Sequence, residues 1–103
     1  MMATPADGVS ASSGALVREL PITNKRGLHA RASAKFVQMV ERFEADVSVT
    51  RNGETVGGTS IMGLMMLAAG PGTSITVAAS GRQAQDVLDA LTTLVTTKFG
   101  EEE

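Results

Sequence analysis

Two helical stripes separated by short alternating runs constrain this chain more than any other feature. From residue 30 to about residue 43 the apolar side chains fall at Ala32, Phe36, Val37, Val40 and Phe43, a spacing that puts them on one face of a helix. A second stripe, Ala84, Val87, Leu88, Leu91, Leu94 and Val95, predicts an amphipathic helix of about four turns. The runs around them have a period of two. Leu16, Leu20 and Ile22 share a face, with Arg18 as the one polar intruder, and Pro21 favours a sheet edge. Val47 and Val49 share a face, as do Ile75, Val77 and Ala79. Asn52-Gly53 is a hairpin turn signal, so residues 54–58 are expected to return as a strand. Ser60 suits the N-cap of a short helix that Gly70-Pro71-Gly72 ends. The order βαββαβα needs one shared core, and helices on one face of the sheet provide it. The expected fold is α+β, an open-faced β-sandwich with a four-stranded antiparallel sheet and three helices on one face.

With 103 residues the chain has room for one core. The folded domain is expected over residues 15–100. Residues 1–14, rich in Ala, Ser, Thr and Gly, read as a tail without fixed structure, and residues 101–103 as a short acidic tail after a helix-stopping Gly100. A net charge of −2, with 9 Lys and Arg spread along the chain, argues against nucleic acid as a partner. The absence of Cys leaves no disulfide framework and no thiolate chemistry, as in a reducing compartment. One His and no Cys leave little for a zinc or haem site, so neither metal nor cofactor is expected. The N-terminal residues do not read as a signal peptide, and no run is long enough to insert in a membrane. A cytoplasmic protein is expected.

The one histidine, His29, lies in Gly27-Leu28-His29-Ala30-Arg31-Ala32-Ser33-Ala34, where a polar loop becomes a helix. A lone histidine in a small domain is commonly a surface or capping residue. Its setting points further. Helix N-termini carry unpaired N–H groups and the positive end of the macrodipole, so a phosphoryl group attached to the imidazole would meet donors there. Arg31 is either an idle surface charge or a second donor to that group. A first-turn cation is unfavourable to the helix by some tenths of a kcal/mol, and a visiting anion would give it a purpose. No catalytic-serine elbow and no Gly-rich phosphate loop competes for the role. The pattern reads as a site for making and breaking a phosphohistidine.

The segment Gly27-Leu28-His29-Ala30-Arg31-Ala32-Ser33-Ala34-Lys35-Phe36-Val37 resembles the active-site segment of the HPr family, the histidine phosphocarriers of the bacterial phosphoenolpyruvate-dependent phosphotransferase system. The element order is similar too, and the likeness runs from about Leu16 to Phe99. The resemblance implies that His29 takes a phosphoryl group on Nδ1 from enzyme I and passes it to enzyme IIA components. It implies that Arg31 steadies the group together with the N–H groups of Ala30 and Arg31. Ser60, in Ser60-Ile61-Met62-Gly63-Leu64, falls where the family carries a regulatory serine, the target of the HPr kinase/phosphorylase. One departure is Ala32, where most relatives have proline at the favoured first-turn position. Alanine is a good helix former and restores an N–H, so the departure bears on loop rigidity more than on chemistry.

From sequence alone Ser60 reads first as a plain helix cap, and the cap and regulatory readings are compatible. Ile61, Met62, Met65 and Met66 also divide. A Met-rich helix commonly belongs to a core, yet Leu64, Leu67 and Ala68 already supply one core face, leaving the others as a pliable docking patch. Three functions compete: a phosphocarrier, a serine-phosphorylated regulatory binding module in carbon or nitrogen control, and an interaction domain without phosphate chemistry. The intact Gly27–Arg31 motif favours the first, because a pure regulator has no use for an imidazole. A carrier that docks with large partners in turn is expected to be a monomer, and the sequence does not distinguish sugar transport from the nitrogen-related branch.

Overall fold

The computed structural model describes residues 15–101. The tail expected over residues 1–14 lies outside the described residues, as do residues 102 and 103 of the acidic tail. The elements are β1 (Leu16–Pro21), α1 (Ala30–Val40), β2 (Asp46–Arg51), β3 (Glu54–Gly57), α2 (Ile61–Met66), β4 (Ser74–Ser80) and α3 (Ala84–Thr96). Four strands form one antiparallel sheet in the order β1-β4-β2-β3. Pro21 therefore lies on an edge strand, where its missing N–H costs no ladder bond.

Register explains which face is buried. Leu20 pairs with Ile75, and Val77 faces Arg18 on one side and Val49 on the other. Leu20, Ile75, Val77, Ala79 and Val49 are all buried, and the helices cover them. Ala32, Phe36, Val37 and Val40 of α1 and Ala84, Val87, Leu88, Leu91 and Val95 of α3 complete the core. The polar intruder Arg18 is accounted for at the core's rim. Its Nη1 donates to Thr92 Oγ1 at 2.8 Å and to Asp89 Oδ1 at 3.2 Å on α3. The aliphatic stem thus spans the edge of the core while the charge reaches a partner.

The hairpin forms as expected. Asn52 and Gly53 both take positive φ, 52° and 80°, the pair of conformations that matches the twist of the flanking strands. Three expectations need correction. The first helix ends at Val40 rather than near Phe43, because the chain tightens there into Arg42 N→Met39 O and Phe43 N→Val40 O bonds; Phe43 still packs on the core. Ala68, expected on the core face of the short helix, is exposed, and Ala69 is buried instead. The left-handed φ of 53° at Ala68 ends the helix and shifts which residue turns inward. Gly100 does not stop α3, which closes at Thr96. A left-handed turn, Lys98–Gly100, with φ of 59°, 57° and 76°, follows and sinks Phe99 into the core.

Candidate functional site

The site is built where the loop after β1 enters α1. Gly27 takes φ +65°, and a Cβ there would stand 2.3 Å from the Ala69 carbonyl oxygen. Only glycine fits, on both counts. That close approach lets Leu28 N donate to Ala69 O at 3.0 Å, which anchors the residue before His29 to the chain following α2. Asn24, fully buried, donates from Nδ2 to Gly27 O at 2.9 Å and closes the loop from inside. Leu28 is buried beneath, and Ser33 Oγ donates to its carbonyl at 3.3 Å.

His29 is the N-cap of α1, in an extended conformation, with its carbonyl accepting from Ser33 N at 2.9 Å. Its Nδ1 accepts a long bond from Arg31 N, 3.3 Å, at the surface. The N–H groups of Ala30, Arg31 and Ala32 precede the first intrahelical donor, so helix geometry leaves them without backbone acceptors. α1 has no acidic side chain in its first turn to compete for them. Ala30 and Arg31 are exposed, and the Arg31 guanidinium makes no ion pair among the described residues. The Ala32 side chain is buried in the core, so the alanine that departs from the family pattern still packs.

The opposite edge of the imidazole holds a residue that the sequence hid. His29 Nε2 lies 2.5 Å from Glu101 Oε2, and the two side chains are only 14% and 15% exposed. Glu101 therefore does not behave as part of a solvated tail. Its other oxygen, Oε1, accepts from Asn24 Nδ2 at 3.2 Å. Burial pushes the Glu101 carboxyl up, but hydrogen bonds from His29 and Asn24 and the positive charges of His29 and Arg26 outweigh it and hold the group below its usual 4.5. The Asn24 amide cannot be reversed, since both of its Nδ2 partners are acceptors. Nothing local in the sequence marked this contact. The two partners are 72 positions apart, and only the acidic character of the chain's end hinted at it.

Ser60, Ile61, Met62 and Met65 form a second group on α2. Ser60 is the N-cap: its exposed hydroxyl accepts from Gly63 N at 2.9 Å. Leu64 and Leu67 point into the core, while Ile61, Met62, Met65 and Met66 are exposed. Met62 and Met66 are 73% and 74% exposed, so the core reading does not apply to them. Arg51 Nη1 donates to Leu67 O at 3.0 Å, placing a cation at the C-terminus of α2 where the helix dipole welcomes it. α2 packs against α1, and the Leu28–Ala69 bond fixes the end of its segment to the His29 loop. The histidine and the apolar patch thus share one frame.

Residues 16–97 match the PTS-HPr family, described as the PTS HPr component phosphorylation site. The phosphocarrier protein HPr of Cupriavidus necator is 49% identical over 88 residues, a stretch covering 85% of this chain and 99% of that protein. An HPr crystal structure from Thermoanaerobacter tengcongensis aligns with a TM-score of 0.81 at 36% identity, covering 85% of this chain and 99% of its own. HPr from Bacillus anthracis gives 0.77 at 40% identity, covering 81% and 99% respectively.

The Glu101 contact has a pH signature. A carboxyl held lower in the folded state contributes stability that is fully present above its unfolded value of 4.5 and is lost as pH falls through its lower folded value. The parent chain should therefore unfold at higher urea than Glu101→Gln at neutral pH, and the gap should narrow as pH falls below 4.5 and through the lower folded value. Paired urea titrations across that range measure it.

Proposed function

The chain belongs to the HPr family of phosphotransferase-system phosphocarriers, carriers rather than enzymes, and on that premise we propose that His29 is its phosphoryl acceptor. The observation that carries this reading is the Nδ1 side of His29. It faces the surface at the start of an eleven-residue helix whose first N–H groups have no backbone acceptors. A phosphoryl group on Nδ1 is within reach of the Arg31 N–H that now points at that nitrogen, with the Ala30 N–H beside it. The free Arg31 guanidinium adds a planar fork suited to phosphate oxygens.

The phosphoryl group comes from enzyme I and goes to enzyme IIA components, two partners met in turn at one surface. Ile61, Met62 and Met65, with Met66 beside them, form the docking patch, and flexible thioethers suit a surface that must fit more than one partner. A protein that works this way is a cytoplasmic monomer. No helix among the described residues is long and apolar enough to cross a membrane. Ser60 serves as a brake, phosphorylated by an HPr kinase/phosphorylase. Its hydroxyl is exposed and borders the patch, so a phosphate there sets nearly two negative charges against any apolar partner surface. Burying that charge uncompensated costs a partner a few kcal/mol, about a hundredfold in affinity.

Incubation with phosphoenolpyruvate and enzyme I should add one acid-labile phosphate per chain by intact mass, and His29→Ala should abolish it while staying folded, with a lower Tm because Glu101 loses its partner. Continued labelling of His29→Ala by this route would end the proposal. Ser60→Asp should weaken enzyme I binding and slow transfer to His29 while leaving Tm near that of the parent, since aspartate also caps helices. Titration of enzyme I against both chains, with transfer rates alongside, checks this; equal affinities and rates would reduce Ser60 to a cap.

A further inference from the structure

The chain beyond α3 folds through an unusual run of left-handed backbone. Lys98 and Phe99 are non-glycine residues in left-handed conformation, followed by Gly100 in the same region. For the two non-glycine residues that backbone is strained. Burial of Phe99 holds the turn from below, and Lys35 Nζ on α1 donates to Phe99 O at 2.7 Å to hold it from the side. Gly100 N→Thr97 O at 3.0 Å and Glu101 N→Lys98 O at 2.9 Å close it. The product of this arrangement is the position of one carboxylate, with Oε2 on His29 Nε2 and Oε1 on Asn24 Nδ2.

We infer that the turn Lys98–Gly100 is a strap that delivers Glu101 to His29 as a positioning residue, fixing the imidazole tautomer that leaves Nδ1 as the phosphoryl acceptor. This rests on the phosphocarrier reading of His29. An ionised carboxylate only accepts hydrogen bonds, so Nε2 carries the ring proton and Nδ1 the lone pair. The opposite edge agrees independently: Arg31 N–H donates to Nδ1, which requires a lone pair there. Two contacts from distant parts of the chain thus select one tautomer.

The same pairing serves the transfer. The Nδ1 lone pair forms the new N–P bond as the bond between phosphorus and the donor protein breaks, and the donor atom keeps that bond's electron pair. The Nε2 proton stays in place throughout. The phosphorylated ring then carries a positive charge against the Glu101 carboxylate, and the group can leave again without any proton moving. Asn24 holds the carboxylate for this from a buried position that solvent does not disturb.

The test is Glu101→Gln in the full chain, read two ways: the tautomer by ¹⁵N imidazole chemical shifts in the unphosphorylated protein, and the rate of phosphoryl uptake from phosphorylated enzyme I. The parent should hold the Nε2–H tautomer. Glu101→Gln should populate both tautomers and take up phosphate roughly tenfold more slowly, the scale of losing one hydrogen bond to a charged group. Glu103→Gln removes the same charge from the chain's end and should match the parent in both. Parental tautomer populations in Glu101→Gln would overturn the inference whatever its rate, and so would an equal loss in Glu103→Gln. The tautomer reading needs no phosphate, so it stands apart from any failure of His29 as acceptor, which His29→Ala reports.

Discussion

The approach of Gly27 to the Ala69 carbonyl is the contact on which the rest of the site depends. A side chain at residue 27 would collide with that oxygen, and without the approach Leu28 N loses its acceptor. The bond anchors the loop that carries His29 to the segment leaving α2, so the histidine and the apolar patch hold one relative position. The sheet beneath supplies rigidity through its register, in which Leu20, Ile75, Val77 and Val49 stack inward under α1 and α3.

The imidazole is held from two sides by parts of the chain that answer to different forces. Its Nδ1 edge belongs to local structure, since N-cap geometry alone brings the Arg31 N–H to it. Its Nε2 edge belongs to tertiary structure, through a strained turn stabilised by Phe99 burial and the Lys35 bond. The asymmetry is chemically apt. On the proposed reading, the edge that would exchange a phosphoryl group is open and bordered by donors, whereas the other edge is covered by an acceptor.

Much of this was legible in the chain. The stripe from Ala32 to Val40 and the Asn52-Gly53 turn rest on local periodicity and backbone preference, and they appear where the residues place them. The place of His29 at a helix start was legible because Gly27, Leu28 and Arg31 surround it with helix-start chemistry. The exposed Met62 and Met66 followed from the arithmetic of a helix too short to bury every side. What stayed hidden depends on contacts across long separations. Ala68 turned outward because its left-handed backbone is a helix ending that periodicity does not encode. Glu101 read as solvated tail because acidic residues after a glycine usually are, and because no pattern announces that Phe99 will draw the backbone through three left-handed residues. Asn24 carries no local signal either, because its bonds to Gly27 O and Glu101 Oε1 exist only in the folded loop.

The central claim is that phosphate is carried on a particular nitrogen of a particular ring. ¹⁵N-labelled protein phosphorylated through enzyme I, examined by ³¹P–¹⁵N coupling, reads that atom directly. Phosphorus should couple to His29 Nδ1, with the proton still on Nε2 opposite Glu101. Coupling to Nε2, the nitrogen the carboxylate covers, would contradict the account.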